Sequence, residues 1–182
     1  MTDQQLFATQ AAYNRWMNRN LYRVCGELDD ARRKRDLGAF FGSIHGTLNH
    51  LLLVDRLWMG RFTGTAVRYA ALDQELYGDF AALRHEREQT DRAIIAWVAG
   101  LDEAALARRL EYLSMLGQRR QAVRVGDALL HLFHHQTHHR GQLTTLLSQL
   151  GVDFGVTDLL WMPGVELASL DAWGERIDGV GA

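Results

Sequence analysis

Five of the eight histidines in this 182-residue chain fall within nine residues: His131, His134, His135, His138 and His139. Imidazole binds divalent metals and also titrates near neutrality, so such density points either to a metal centre or to a pH-sensitive surface. The two differ in which rings face inward. Steps of three and four residues trace an apolar stripe through Ala128, Leu132, Leu143, Leu146 and Leu150, and His135 and His139 fall on it. His134 and His138 instead share a polar stripe with Asp127, His131, Gln142, Thr145 and Gln149. Two imidazoles one turn apart on one face can grip a single ion. Without partners, burying them would cost on the order of a few kcal/mol. The periodicity selects His135 and His139 as the inward, metal-binding pair and leaves His131, His134 and His138 as surface or supporting residues.

A third ligand has to come from another element. His50 neighbours Gly46, Thr47, Leu53, Val54 and Leu57 at helical spacing, whereas His45 neighbours Phe41, Leu48 and Leu52. That segment is apolar around most of its circumference, so spacing leaves both open. The chain has no Cys₂His₂ pattern and no His-Glu-x-x-His motif. Three imidazoles would leave one position of the ion open to water or substrate, as in catalytic rather than closed structural sites. They suit zinc, nickel, copper, cobalt or iron(II).

The elements that must hold these residues read as helices. Thr2-Asp3-Gln4-Gln5 forms a capping box opening a helix to about residue 28, with Leu6, Tyr13, Met17, Leu21 and Val24 at helical spacing. The charged stretch 29–36 reads as a connection. Asp36 is placed to cap a helix over about 37–62, which Gly64 helps to end. A third helix is expected over about 75–99, stopped by Gly100, with the run from Arg84 to Arg92 as a solvated face. Asp102 is placed to cap a short helix to about residue 110. Tyr112, Val123 and Val125 flank Leu116-Gly117 and suggest a small hairpin over 111–125. Asp127 then starts a helix to residue 150, closed by Gly151. The predicted class is all-α: an antiparallel four-helix bundle with a short extra helix and a small hairpin before the last helix. Residues 1–182 form one domain, with the tail 152–182 docking through Thr157, Leu159, Leu160 and Trp161 and its final Gly-Val-Gly-Ala frayed.

Composition narrows the function classes. A formal net charge of −2 leaves no electrostatic footprint for nucleic acid or an anionic membrane. No apolar stretch approaches membrane-spanning length, and the first residues lack a secretory pattern, so a cytoplasmic location is expected. Cys25 stands alone, with no His or Lys beside it to activate a thiolate, and reads as core packing. The single proline, Pro163, leaves room for long uninterrupted helices.

Two segments carry a resemblance. Ser43-Ile44-His45-Gly46-Thr47-Leu48-Asn49-His50-Leu51-Leu52-Leu53-Val54-Asp55-Arg56-Leu57-Trp58 is similar to the second helix of the DinB/YfiT-like family. The stretch from Leu130 through His131, His134, His135, His138 and His139 to Gln142 resembles that family's last bundle helix, and the likeness continues through Leu150-Gly151-Val152-Asp153. The resemblance implies a four-helix bundle, a homodimer, and a metal held by one histidine of helix two and two of the last helix. Mapped onto this chain, those are His50, His135 and His139. Many relatives carry Asn where His134 stands. Characterised relatives include transferases and isomerases dependent on low-molecular-weight thiols. The expected activity is a metal-dependent transfer of such a thiol to a small electrophile, with zinc or nickel as the ion. A metal-dependent hydrolase, a non-catalytic metal-binding stress protein and a histidine pH switch stand as alternatives. Asp55 is a candidate to orient a ligand ring or to form a structural ion pair.

Overall fold

The computed structural model describes residues 1–65, 67–115 and 117–166, so the final Gly-Val-Gly-Ala of the tail lies outside the described residues. The chain is mostly helical with one small antiparallel sheet. Helix α1 (Asp3–Gly26) begins at the expected capping box: the Thr2 hydroxyl accepts from Gln5 N–H and the Gln5 side chain accepts from Thr2 N–H. A short helix α2 (Asp30–Lys34) occupies the stretch expected to be a connection, because the Asp29 carboxylate caps it through Arg32 N–H.

The second long helix, α3 (Ile44–Thr63), starts seven residues later than expected. Gly38 and Gly42 both sit at φ +71°, a left-handed conformation that no α-helix contains. Asp36 accepts from Gly38 N–H in a local turn instead of capping a helix, and Ser43 supplies the cap through Gly46 N–H. Gly64, at φ +73°, ends the helix as expected.

Helix α4 (Phe80–Ala99) also starts late, capped by Asp79. The backbone before it is held elsewhere: Asn49 Oδ1 accepts from Leu76 N–H and Tyr77 N–H at 2.8 and 2.9 Å, tying this segment to α3. Helix α5 (Glu103–Ala107), capped by Asp102, ends before Leu110, which enters strand β1 (Arg109–Leu113). Strand β2 (Arg120–Arg124) pairs with it in the register Arg109↔Arg124 to Leu113↔Arg120, turning through Gly117 and Gln118 at positive φ. The last helix, α6 (Val125–Gln149), starts directly out of β2; Asp127 does not cap it but pairs with Arg124 at 2.8 and 2.9 Å. Gly151, at φ +69°, follows its end.

The four long helices pack α1 on α4 and α6, and α3 on α4 and α6. Their core has two apolar halves. One joins Phe7, Leu53, Trp58, Ile94, Leu129 and Phe133 with the hairpin end; the other joins Met17, Leu21, Leu48, Leu83, Leu143 and Leu147. Cys25 is buried in the second half, and burial pushes its thiol up to about 12, in keeping with a packing role. The tail docks in part. Tyr13 donates to Thr157 O at 2.6 Å and Met162 is buried, while Leu160 and Trp161 stay about half exposed.

Between the two halves lies a layer of buried polar groups. Arg87 and Asp91, expected on a solvated face, are 1% and 2% exposed. Arg87 pairs with Asp55 at 2.7 Å and with Asp91 at 2.9 Å. Asn18 donates to Asp91 at 2.9 Å, Arg140 donates to Asn14, and Gln136 donates to Asp55 at 2.6 Å and to Leu51 O at 3.1 Å. The layer thus holds two guanidinium groups and two carboxylates, contributed by α3, α4 and α6, with the asparagines of α1. Removing one member strands its partner's charge in the core. Asp55→Ala is expected to destabilise the protein by about 3–5 kcal/mol in denaturant unfolding, whereas loss of the exposed Arg23–Glu27 pair should change stability by less than about 1 kcal/mol.

Candidate metal centre

His50 projects from the middle of α3, and His135 and His139 from successive turns of α6. Their Nε2 atoms converge: His50 to His135 is 3.2 Å and His135 to His139 is 3.1 Å. His50 and His139 are buried, and His135 is partly so. Among the described residues these three form the histidine, cysteine or carboxylate group able to hold a metal ion.

The tautomers explain why the arrangement suits a cation. His50 Nδ1 lies 2.8 Å from Leu72 O, which can only accept, so the proton sits on Nδ1 and the Nε2 lone pair is bare. His139 Nδ1 lies 2.8 Å from Gln142 Oε1, with the same consequence. Two bare lone pairs therefore face His135 Nε2, which can donate to one of them at most. A divalent ion accepts from all three. With metal–nitrogen bonds of about 2.0–2.1 Å, tetrahedral geometry places ligand nitrogens roughly 3.3 Å apart, close to the separations here. The donor set fits the ion.

Burial, the largest effect, favours the neutral ring at each position. It lowers His50 to about 4, with the neighbouring His139 adding to it and the Leu72 carbonyl opposing. His135 falls to about 3 through burial and then the rings of His139 and His50. His139 is lowered by burial too, opposed by Gln142. Neutral imidazole is the ligating form.

The surroundings fix the rings from the second side. The Phe41 ring stacks on His50 at 3.8 Å between centroids and meets His139 edge-on at 5.4 Å. Phe41 can approach because residue 46 is glycine: a Cβ there would lie 2.2 Å from Phe41 O. Asn49 holds the segment that carries Leu72, accepting from Leu76 and Tyr77 and donating to Tyr77 O at 3.2 Å. On the other side a cavity of about 350 Å³ opens onto His50 and His135, walled by Leu57, Trp58, Arg61 and Tyr112.

His45, which spacing could not separate from His50, faces away, with Nε2 2.8 Å from Tyr77 O. His134 and His138 are exposed. His131 is exposed as well but lines the cavity, its ring 5.4 Å from Trp58 and 6.0 Å from His135. Asp55 touches no imidazole and serves the ion pair with Arg87. Sequence reasoning missed the groups that orient the rings. Gln142, three residues after His139, was within reach of the helical period; the Leu72 carbonyl left no trace in residue type.

A helical frame enclosing a three-histidine centre defines the class of protein. Residues 1–175 match the model of the DinB family, and the chain belongs to that family. It is 26% identical over 162 residues to Protein DinB of Bacillus subtilis (strain 168), an alignment covering 80% of this chain and 87% of that protein. A crystal structure of a DinB-like protein from Bacillus cereus ATCC 10987 superposes with a TM-score of 0.56 at 16% identity, covering 77% of this chain and 89% of that one.

Two outcomes check the geometry. A ring whose folded pKa lies below its unfolded 6.5 takes up its proton first in the unfolded chain, so stability is complete above about pH 6.5 and falls as pH drops toward 4. In melting curves with chelator present, the gap between wild type and the His50→Gln/His135→Gln double variant should therefore shift in favour of the variant between pH 7 and pH 4.5. Gly46→Ala should push Phe41 off His50 and weaken metal binding at least tenfold by calorimetry, while the helical circular-dichroism signal is kept.

Proposed function

We propose that this protein is a metal-dependent enzyme that activates a low-molecular-weight thiol for attack on a small electrophile. His50, His135 and His139 hold one divalent ion, zinc or nickel. The observation that carries the reading is the convergence of the Nε2 atoms of three neutral imidazoles beside an open cavity. In this reading the four long helices are an antiparallel four-helix bundle whose mid-section carries the site.

When bound, the ion supplies Lewis acidity at its open position, lowering the pKa of a thiol placed there. The chain's own residues do the rest. Leu72 O and Gln142 hold the His50 and His139 protons on Nδ1 and so keep both Nε2 atoms as ligands. Phe41 covers one side and keeps water from it, so reactants enter from the cavity. The thiol gives its proton to solvent at the cavity mouth, its sulfur forms the new bond to the electrophile, and the leaving group departs with the electron pair of the bond it breaks. A homodimer belongs to the same reading; the exposed Phe40 and Trp161 are large apolar side chains that such an interface would cover.

Protein purified without an affinity tag should carry about one divalent ion per chain by elemental analysis. His50→Ala, His135→Ala and His139→Ala should each lose it, and His134→Ala and His138→Ala should keep it. Full occupancy in the His135→Ala/His139→Ala double variant would remove the site. Thiol consumption with a panel of electrophiles should fall at least a hundredfold in His50→Ala, and consumption indifferent to that change would sink the thiol mechanism.

A further inference from the structure

The cavity wall contains a cation that the metal reading does not use. Arg61 lies in the last turn of α3, partly buried. Its guanidinium carbon sits 4.5 Å from the Trp58 ring centre and 4.2 Å from that of Tyr112, against both of these rings, which meet each other edge-on at 5.2 Å. Nη2 donates to Leu113 O at 3.3 Å. Among the described residues no carboxylate lies within ion-pair distance of it, in contrast to Arg56, Arg87 and Arg124, which are each paired. Burial also holds Arg61 below its ordinary value, with Tyr112 opposing. A guanidinium taken partly out of water with one long neutral hydrogen bond has donors to spare.

Its position gives the donors a use. Arg61 lines the same cavity as His50 and His135, and the wall between is apolar, built from Val54, Leu57, Leu72 and Met115. A second cavity of about 680 Å³, which also reaches Arg61 and Tyr112, adjoins it and contains Glu111, which forms no ion pair with Arg61. Cation–π contacts and the hydrogen bond to Leu113 O hold the side chain in place, and neither neutralises its charge.

We propose that Arg61, framed by Trp58 and Tyr112, is an anion subsite that takes the carboxylate of a small-molecule acid whose other end lies at the three histidines. The inference rests on the metal-dependent reading for which end reacts; the subsite itself stands on the cavity and its unpaired guanidinium. Planar, two-pronged pairing with a carboxylate is what a guanidinium offers and an alcohol cannot match.

The test uses the full chain as purified and two probes of one shape, 3-phenylpropionate and 3-phenylpropan-1-ol. Calorimetry gives the affinities, and the Trp58 indole N–H resonance reports the place. Wild type should bind the carboxylate at least tenfold more tightly than the alcohol, with the Trp58 resonance moving. Arg61→Met should erase the preference while holding the alcohol within about twofold, and Arg61→Lys should keep part of it, which separates charge recognition from a folding defect. Equal affinities in wild type, binding of neither probe, or a preference that survives in Arg61→Met would each overturn the subsite. A preference lost in His135→Ala yet kept in Arg61→Met would place the carboxylate on the metal, overturning the subsite and leaving the proposed function standing. A preference that persists in protein shown by elemental analysis to bind no metal would do the reverse.

Discussion

Arg87 and Arg140 face Asp55 and Asp91 in the middle of the core, with Asn14, Asn18 and Gln136 completing the layer. Apolar side chains tolerate sliding, because one leucine fits another's place at small cost. Charges buried in this way do not, since each needs one particular partner and a displacement of one helical turn, about 5.4 Å, leaves it bare. Gln136 ties α6 to α3 at Leu51 and Asp55, and its neighbour in sequence is His135. The relative height of His50 and the α6 histidines is therefore set by a polar contact one residue away, and only secondarily by the hydrophobic halves above and below.

The imidazoles are the second consequence of that registration. Brought together without an ion, three neutral rings with two tautomers dictated from outside have surplus acceptors and too few protons. Such a conflict is tolerated in a stable core only where the surrounding structure over-determines it and function needs it. The loop that ends in Leu72 and the turn that carries Phe41 look like decoration, yet each supplies one of the constraints on His50.

How much of this is legible in the sequence depends on how local the cause is. The capping box at Thr2, the Asp102 cap, the Gly64 stop and the inward placement of His135 and His139 all follow from neighbours within a turn or two, and the structure has them. The late start of α3 was also local: Gly38 and Gly42 fall inside the expected helix 37–62, and their left-handed backbone keeps a helix from forming there. The late start of α4 was not local, since the side chain that holds the preceding backbone, Asn49, lies some 27 positions away. Arg87 and Asp91 were misplaced for the same reason: a run of charge normally faces water, and only partners on three other helices make the interior acceptable. His50 was separable from His45 by resemblance alone; in space the Tyr77 carbonyl holds His45 off.

The hairpin supplies Tyr112, Ser114, Met115 and Gln121 to the cavity, yet of its two strands only Leu110 is buried in the core. Its side chains can thus be exchanged at little cost to folding, while the histidines opposite are held by a layer that admits almost no change. Side chains free to change and side chains held in place thus belong to separate stretches of the chain, one facing the other across the same opening.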